Sequence, residues 1–300
     1  MTAVLPSRTY EIHEVAELTG LATARLRAWE RRYEVVSPSR QPNRYRTYTG
    51  EQVALLRAFA RLCSAGERIG DLVREPREKV IARSEGRATD GSPLSQLVEA
   101  VKRLDRDRLG ALLDDQRKRM DSERFGREIV LPLAEVIGDQ WALGRLSVAA
   151  EHFASEVVVQ QLKLELNRGG PAGPVLLAAC LPGEQHEWGF LVTLVRLQNA
   201  GWRVRYLGAD LPLKDLTEAA WMLVPQVVAL SAADPVNVTN RLGELRRLPR
   251  ILPPGILVVL GGQGAEINGS RLRRAGLKVG SGAIPEPPPA APARMAARSS

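Results

Sequence analysis

A histidine at the end of an apolar run is the residue of this chain that most suggests chemistry. Residues 175–180 are apolar and strand-like, and a short loop then places His186 just before a helical pattern. Because an imidazole nitrogen is a common ligand for transition metals, His186 is a candidate metal ligand. The chain has only three histidines, and a second, His152, directly follows Glu151, ten residues after Trp141 on a helical segment. Two of the three histidines therefore lie in settings that resemble motifs.

Arginines are closely spaced between residues 25 and 46. Residues 25–46 contain seven arginines and two glutamates, an excess of five positive charges in a chain whose net charge is +8. Two short helical patterns separated by Gly20 fall here, and Thr23 is expected to cap the second helix. An arginine- and tyrosine-rich loop follows, and a capping box from Thr49 to Gln52 then opens a third helix. This order predicts a helix-turn-helix with a wing, a layout that binds duplex DNA.

The second helix and the wing are expected to supply the DNA contacts. The first helical pattern runs from Tyr10 to Leu18, and the second carries Arg25 and Arg27, which are placed to enter the major groove and read bases. The wing is placed to reach phosphates and the neighbouring groove. The predicted DNA-contacting residues are Arg25, Arg27, Arg31, Arg44, Arg46 and Tyr48. The alternative is a solvated, arginine-rich helix face without a ligand.

Three shifts in composition divide the chain. Stretches that are polar or rich in glycine and proline lie at residues 84–93 and 167–174, and prolines and alanines dominate after about residue 280. The middle segment has apolar residues at helical spacing, which predicts a helical bundle. The predicted domains are a DNA-binding domain over 1–82, a helical bundle over 93–168, an α/β domain over 174–283 and a disordered tail over 284–300.

The last large segment alternates strand and helix patterns. We predict strands at 175–180, 204–207, 227–231 and 257–260, and helices at 187–199, 213–223 and 238–248. Such alternation gives a parallel sheet with helices on both faces. Ligands bind these sheets at the carboxyl ends of the strands, where His186, Ser231 and the Gly261–Gly262 pair fall. We therefore expect these residues to line one crevice.

The bulk composition argues against several classes of protein. No apolar run approaches the roughly 18 residues that span a bilayer, so no membrane insertion is expected. The amino-terminal residues lack the pattern of a secretory signal, and a cytoplasmic location is expected. The only two cysteines, Cys63 and Cys180, lie far apart and are expected to be free thiols rather than a disulfide or a metal-binding pair.

Two groups of residues match known motifs. Residues 26–33, Leu-Arg-Ala-Trp-Glu-Arg-Arg-Tyr, look like the recognition-helix signature of MerR-type DNA-binding heads. Residues 184–189, Glu-Gln-His-Glu-Trp-Gly, are similar to the corrinoid-binding pattern acid-x-His-x-x-Gly. Ser231 and Gly261–Gly262 stand in the places of the later serine and double glycine of that pattern. The combination is more specific than either motif alone.

A third group lies in the predicted bundle. Trp141, nine intervening residues and then Glu151 and His152 look like the motif that covers the upper face of the corrin ring in B12-dependent photoreceptors. With this motif included, the chain up to about Gly280 resembles the CarH-type family of cobalamin-dependent, light-sensing transcriptional repressors. The resemblance implies a multi-domain fold with an all-α winged helix-turn-helix head of the MerR type, a four-helix bundle and a Rossmann-like α/β cobalamin-binding domain.

The resemblance also implies a cofactor, adenosylcobalamin, and assigns its contacts. His186 would be the lower axial ligand of the cobalt, with Glu184 orienting its imidazole. Trp141 would pack against the upper adenosyl group, and Glu151 and His152 would offer polar contacts. The implied cofactor-binding residues are Trp141, Glu151, His152, Glu184, Gly189, Ser231, Gly261, Gly262 and Gly264.

The implied function is regulation rather than catalysis. A CarH-type repressor binds operator DNA in the dark, and visible light breaks the cobalt–carbon bond of its cofactor and releases the DNA. The target genes would be those for carotenoid synthesis or light protection. The implied partners are double-stranded operator DNA and further copies of the chain, as a dimer and, in the dark, a tetramer.

Two positions depart from the family pattern. Ala142 follows Trp141 where many members have a histidine, so this position cannot supply a second histidine ligand after photolysis. His152 is the only histidine in the predicted bundle that can replace it. Residues 43–45 stand where glycines and a histidine are common in the wing, so the operator sequence does not follow from the resemblance.

Three alternatives stay open. A light-independent regulator would sense cofactor supply, with Ala142 as the mark of lost photochemistry. A corrinoid methyl carrier would share the bundle and the sheet domain, but it has no use for the arginine-rich head. A MerR-type metal sensor is disfavoured by the lack of clustered cysteines, and a drug sensor by the set of Trp141, Glu151, His152 and His186.

Overall fold

The structure is a computed structural model that describes residues 9–40, 46–84, 92–142, 144–167 and 173–287. The chain divides into two compact units, Met1–Val158 and Val159–Ser300. Arg44, most of the predicted tail and parts of both predicted linkers lie outside the described residues. The boundaries of the predicted domains stay predictions.

The amino-terminal part of the first unit combines short helices with a small sheet. Its elements are β1 (Thr9–Glu11), α1 (Ile12–Thr19), α2 (Thr23–Tyr33), β2 (Ser39–Arg40), β3 (Arg46–Thr49), α3 (Gly50–Ser64), α4 (Ile69–Leu72) and α5 (Arg77–Ser84). The strands pair antiparallel in the order β1-β3-β2, so the description of the head as all-α is incomplete. The prediction that Tyr10 begins the first helix is wrong. Tyr10 pairs with Tyr48 across the sheet, and this pairing outweighs the local helical spacing.

The helices of the head begin and end at caps of different kinds. Thr49 Oγ1 accepts a hydrogen bond from the backbone N–H of Gln52 at 3.3 Å, and Gln52 Oε1 accepts one from the N–H of Thr49 at 3.0 Å, which confirms the predicted capping box of α3. The predicted cap at Thr23 is wrong, because α2 already includes Thr23 and its N-cap is Ala22, which has no polar side chain. Gly20 ends α1 with φ +69°, a left-handed conformation that suits glycine.

The next part of the described chain is helical. Its helices are α6 (Pro93–Lys102), α7 (Arg106–Arg119), α8 (Ser122–Phe125), α9 (Leu131–Ala142) and α10 (Val148–Asn167). A π-helical turn, Gly126–Val130, lies directly between α8 and α9, so these two form one longer helical segment. Four helical segments result, in agreement with the predicted four-helix bundle.

A buried carboxylate joins the head to the bundle within the first unit. Asp139, on α9, is 4% exposed. It accepts a hydrogen bond from Nη1 of Arg57 at 2.6 Å and forms an ion pair with Nη1 of Arg61 at 2.7 Å, and both arginines lie on α3. Arg57 also donates from Nε to the carbonyl of Leu18 at the end of α1. Two guanidinium groups thus compensate one carboxylate that is withdrawn from water.

The second unit is an α/β domain. After the last residues of α10, its elements are β4 (Val175–Cys180), α11 (Trp188–Asn199), β5 (Arg203–Tyr206), α12 (Leu213–Leu223), β6 (Val227–Ser231), α13 (Pro235–Asn240), α14 (Leu242–Leu245), α15 (Leu248–Ile251), β7 (Leu257–Gly261), α16 (Gln263–Ile267), α17 (Gly269–Arg274) and β8 (Lys278–Val279). The strands are all parallel, in the order β5-β4-β6-β7-β8, which confirms the predicted Rossmann-like sheet.

One predicted helix of this unit is divided. The sequence predicts a single helix over 238–248, whereas the backbone forms α13, α14 and α15 with breaks after Asn240 and after Leu245. The buried side chains of Val238, Leu245 and Leu248 keep a helical spacing across these breaks. Periodicity alone therefore could not reveal that the helix is interrupted.

The strand order brings the predicted site to one edge of the sheet. From β4, the chain adds β5 on one side and then β6, β7 and β8 on the other, so the order of the strands switches between β4 and β6. Parallel sheets bind ligands at such a switch point, outside the carboxyl ends of the strands. Cys180 pairs in register with Ser231, and Ser231 pairs with Gly261, so three strands end together.

None of the helices in the described ranges combines the length and the apolar content needed to cross a bilayer.

Candidate metal centre and nucleic-acid interface

A buried carboxylate organises the loop after β4. Glu184 is 1% exposed. One of its oxygens accepts hydrogen bonds from the backbone N–H of Ala233 at 2.7 Å and of Asp234 at 2.9 Å, in the loop after β6. Its other oxygen accepts one from the backbone N–H of His186 at 3.0 Å and lies 2.9 Å from His186 Nδ1. Glu184 therefore ties the loops after two neighbouring strands together and holds His186 between them.

The imidazole of His186 faces solvent beside this carboxylate. Its side chain is 85% exposed. When an ionised Glu184 accepts the hydrogen bond, Nδ1 of His186 carries the proton and Nε2 carries a lone pair. A carboxylate at the other ring nitrogen is the usual partner of a metal-ligating imidazole. The geometry fits the predicted pairing of His186 as ligand with Glu184 as its orienting partner.

The charge state of Glu184 favours this arrangement. Burial raises the pKa of Glu184, but hydrogen bonds from His186 and from the backbone N–H of Asp234 outweigh burial and bring the net pKa below its ordinary value. Glu184 is therefore ionised at neutral pH and acts as an acceptor. Within the described ranges, no three His, Cys, Asp or Glu side chains cluster to hold an ion by themselves.

The glycines after β7 make room for a neighbouring loop. Gly262 has φ +103°, and a Cβ there would lie 2.7 Å from the carbonyl oxygen of Ala232. A Cβ on Gly264 would lie 2.6 Å from the carbonyl group of Asp234. By contrast, a Cβ on Gly261 would meet no described atom within 4 Å. Close contact with the loop after β6 thus explains why glycine is needed at positions 262 and 264. The role of these two residues as cofactor contacts stays a prediction.

Two further predicted cofactor residues lie near the same edge of the sheet. Ser231, the last residue of β6, is 6% exposed. Gly189 is exposed in the first turn of α11, where its carbonyl accepts a hydrogen bond from the Thr193 hydroxyl at 2.9 Å. The structure therefore brings Glu184, His186, Ser231 and the loop after β7 together, as the sequence predicts.

Sequence analysis missed a network of polar side chains that begins at Cys180, the last residue of β4. Sγ of Cys180 lies 3.4 Å from the hydroxyl of Tyr206, which donates to Glu187 at 2.5 Å, and Nζ of Lys163 lies 3.1 Å from the same carboxylate oxygen. Burial raises the pKa of Cys180 to about 11, and burial with the hydrogen bonds to Cys180 and Glu187 raises the pKa of Tyr206. Both groups stay protonated at neutral pH. The available signal was Glu187, a second acid directly after His186.

The predicted upper-face residues lie in the first unit. Trp141 is half-buried at the end of α9. Glu151 and His152 lie in the first turns of α10, and Nδ1 of His152 lies 2.7 Å from Oε2 of Glu151. The other oxygen of Glu151 accepts a hydrogen bond from the Ser155 hydroxyl at 3.1 Å. The side chain of His152 is 76% exposed, so this pair is accessible to a ligand, and its role toward a cofactor stays a prediction.

The predicted recognition helix presents its arginines to solvent. Arg25, Arg27 and Arg31 are exposed on α2. Leu26 and Trp29, which alternate with them, are buried in the head, and Trp29 packs edge-to-face on Phe59 of α3 at a centroid distance of 6.4 Å. The guanidinium groups therefore point away from the core, as a helix that enters a DNA groove requires.

The wing residues behave differently from the prediction. Tyr48 is fully buried, and its hydroxyl donates to Glu30. Burial and the neighbouring Glu30 raise the pKa of Tyr48, so it stays a donor. The predicted DNA contact of Tyr48 is wrong, because its ring fills the core between α2 and the wing. Nε of Arg46 donates to the same carboxylate at 2.9 Å while its side chain stays 31% exposed.

Glu30 is the residue of the head that sequence analysis missed. It accepts hydrogen bonds from both Arg46 and Tyr48, and its side chain is 9% exposed. It thereby fixes β3 against α2. The signal was its place in residues 26–33, where it is the only acid among three arginines. Arg44 lies outside the described residues.

Family models match most of the chain. The model described as MerR HTH family regulatory protein matches residues 10–74, and two models described as B12 binding domain match residues 94–163 and 174–287. The HTH-type transcriptional repressor CarH of Myxococcus xanthus is 33% identical over 291 residues, which cover 93% of this chain and 97% of CarH. The HTH-type transcriptional repressor CarA of the same organism is 36% identical over 268 residues, which cover 86% of this chain and 88% of CarA.

Solved structures show more distant likenesses. The monomethylamine corrinoid protein of Methanosarcina barkeri is 16% identical, with 62% of this chain and 92% of that chain covered and a TM-score of 0.47. A cobalamin-binding protein of Desulfitobacterium hafniense is 19% identical, with 62% and 90% covered and a TM-score of 0.32. Likeness at this level carries no conclusion about function.

Proposed function

Because the chain belongs to the MerR-type transcriptional repressors with B12-binding domains, the family that includes CarH and CarA, we propose that it is a light-responsive repressor. It binds adenosylcobalamin and operator DNA in the dark and releases the DNA in the light. It is a regulator and not an enzyme, like the two repressors it matches. The observation that carries the proposal is the His186 imidazole held at Nδ1 by the buried carboxylate of Glu184.

The residues at the sheet edge suit a cobalt-bearing cofactor. An exposed imidazole with a carboxylate at its other nitrogen is a good ligand for a single open position of cobalt. His186 would hold the metal from below, and Glu184 would keep the ring in the ligating tautomer. Bound adenosylcobalamin supplies a cobalt–carbon bond that visible light breaks. Ser231, Gly261 and Gly189 would contact the lower part of the cofactor, beside Gly262 and Gly264.

The first unit would supply the other functional groups. Trp141 would pack against the adenosyl group, and Glu151 with His152 would offer polar contacts to it. The exposed arginines of α2 would enter the major groove of the operator, and Arg46 would contact phosphate from the wing. The repressor would act in the cytoplasm as a dimer, with a tetramer in the dark, at genes for carotenoid synthesis or light protection.

The test is the absorption spectrum of the full chain mixed with adenosylcobalamin and passed through a desalting column. The wild type should retain the cofactor with the spectrum of histidine-ligated cobalt. His186→Ala should lose that spectrum and most of the retained cofactor, while the matched control His152→Ala should keep the spectrum recorded in the dark. Retention by His186→Ala with an unchanged spectrum would overturn the proposal.

Light dependence needs its own measurement. Operator binding by the loaded wild type should weaken at least tenfold, about 1.4 kcal/mol, after green light, and the spectrum should change at the same time. Equal binding in the dark and after illumination would instead support a light-independent cobalamin sensor. Ala142 favours that second candidate, because it removes the histidine that many family members have after the tryptophan.

A further inference from the structure

Positive charge in the second unit is concentrated in one stretch of its sequence. Residues 241–278 contain eight basic and two acidic side chains, an excess of six positive charges. Residues 174–240, which include the candidate metal centre, contain four basic and six acidic side chains, an excess of two negative charges. The net charge of the whole chain is +8. Residues 241–278 are therefore a second strongly basic stretch of the chain besides residues 25–46, and they belong to neither the candidate metal centre nor the DNA-binding head.

Four arginines of this segment line one concavity. Arg246 and Arg247 lie between α14 and α15, Arg250 lies within α15, and Arg274 is the last residue of α17. All four are exposed, and the open concavity that they line has a volume of about 700 Å³. Gly243, Pro249 and Ala275 complete its lining. We call these four residues the arginine surface.

The arginine surface lacks compensating acids. Residues 241–278 are all described, and none of their arginines lies within 4.0 Å of a carboxylate in the described part of the chain. The hydrogen bond that Nε of Arg274 donates goes to the carbonyl of Ser270, which is neutral. On the bundle, by contrast, Arg103 and Arg119 each contact an acid four residues away. Unpaired like charges on one surface repel each other, and an anionic ligand relieves that repulsion.

We propose that the arginine surface binds the phosphate backbone of duplex DNA beside the segment that the head recognises. This inference rests on the proposed function, because it takes the operator complex as the source of the phosphates. Guanidinium groups bind phosphate through a planar pair of donors, and duplex DNA offers about one negative charge per 1.7 Å of its axis. The concavity is open rather than enclosed, which suits a backbone that runs past it.

The chemistry of the lining predicts binding that does not depend on base sequence. The four arginines lie on or between helices of only four to six residues, which are too short to lie along a major groove as a recognition helix does, so they are placed for phosphates rather than base edges. Contacts to phosphate set position and add affinity, and they carry no sequence information. The arginine surface would therefore strengthen operator binding on long duplexes whatever the flanking sequence is. An acidic protein segment is the competing occupant, and it predicts no effect on DNA binding.

The test compares two triple variants of the full chain, loaded with adenosylcobalamin in the dark. One replaces Arg246, Arg247 and Arg250 by Gln. The matched control replaces Arg103, Arg119 and Arg124 by Gln, which removes the same charge from arginines that are already paired with acids. Fluorescence anisotropy with a labelled operator duplex that has long flanks, repeated over a range of KCl concentrations, gives the affinity and its salt dependence.

The logarithm of the binding constant falls as the logarithm of the salt concentration rises, and each phosphate contact adds about 0.9 to the steepness of that fall. The arginine-surface variant should therefore lose about 2 to 3 from that slope and bind at least tenfold more weakly, while the control should lose less than about 1. The difference should vanish on a short duplex trimmed to the head's own contacts, and scrambled flanks should leave it unchanged.

The outcomes separate this inference from the proposed function. Equal slopes for the two variants on the long duplex would overturn the inference, and so would a loss that is just as large on the short duplex, because a general weakening does not require flanking contacts. Failure of the wild type to bind any operator duplex would overturn the proposed function instead. Circular dichroism spectra that match the wild type show that both variants are folded.

Discussion

The candidate cofactor residues include two glutamate–histidine pairs, and they differ in how the carboxylate is held. Glu184 is 1% exposed and binds two backbone N–H groups from another loop as well as His186. Glu151 has a side chain that is 32% exposed, and besides His152 it contacts only Ser155 among the contacts the structure describes. The residue types are the same, and the surroundings are not.

The difference shows what turns a histidine into a fixed ligand. A carboxylate held by backbone donors cannot move without breaking buried hydrogen bonds, so its imidazole keeps one tautomer and one direction. A carboxylate on an exposed helix face exchanges its partners with water, and its imidazole can turn toward whatever binds. The pair at 184 and 186 therefore suits a permanent metal ligand, and the pair at 151 and 152 suits contacts that change.

The largest expected effect breaks the buried pair. Glu184→Ala leaves the N–H groups of Ala233 and Asp234 without their acceptor, so the free energy of unfolding should fall by about 3 kcal/mol. Cobalamin affinity should fall about ten- to a hundredfold, because His186 loses its orienting partner. Urea unfolding and a cobalamin titration measure the two effects. An unchanged cobalamin affinity would contradict the role assigned to Glu184.

A smaller effect is expected from the glycines that pack against the same loop. Gly264→Ala places a methyl group 2.6 Å from the backbone of Asp234, which should cost about 2 kcal/mol. It should also weaken the hydrogen bonds to Glu184, seen as faster amide exchange in a peptide that contains Ala233. The control Gly261→Ala enters open space and should cost about 0.5 kcal/mol or less. Equal costs for the two would show that the loops do not pack as described.

Acid should distinguish the buried carboxylate from an ordinary one. The pKa of Glu184 is lower in the folded chain than its ordinary value, so its ionised form stabilises the fold above an ordinary glutamate pKa of about 4.3. That contribution is lost as the pH falls through the lowered value. Between pH 6 and 3, the wild type should therefore lose more stability than Glu184→Gln, which cannot titrate. Parallel losses in urea unfolding would show that the pKa of Glu184 is not lowered.

The smallest effect is expected at the exposed pair. Glu151→Ala removes a contact that water replaces, so the free energy of unfolding should change by about 0.5 kcal/mol or less. The absorption spectrum of the cofactor in the dark should keep its histidine-ligated form. A loss of stability close to that of Glu184→Ala would remove the contrast between the two pairs.

The sequence predicts the centre of the sheet well because β4, β6 and β7 are largely apolar runs. Strands β4 and β6 have the predicted bounds, and α12 does as well. Position at a strand end was enough to place His186 and Ser231 at one edge, since parallel strands end on the same side. The partners of Glu184 could not be predicted, because Ala233 and Asp234 lie about fifty residues away and offer only backbone groups.

The head shows where local patterns fail. Tyr48 belongs to a polar, arginine-rich stretch that is typical of a surface loop, yet it is fully buried. Its burial depends on Glu30, 18 residues earlier, which supplies the acceptor for its hydroxyl. Tyr10 has helical spacing with its neighbours but pairs with Tyr48 across the sheet. In both cases a partner distant in sequence decides the conformation.

The ion triad of Asp139, Arg57 and Arg61 has a consequence for any attempt to study the head by itself. A fragment that stops before the bundle would keep both guanidinium groups on α3 and lose the carboxylate between them. Those two cations lie one helical turn apart and would repel each other, and the carbonyl of Leu18 would be the remaining described acceptor for Arg57. The isolated head would thus be less stable than the same residues within the whole protein, because Arg57 and Arg61 would lack the carboxylate that compensates their charge.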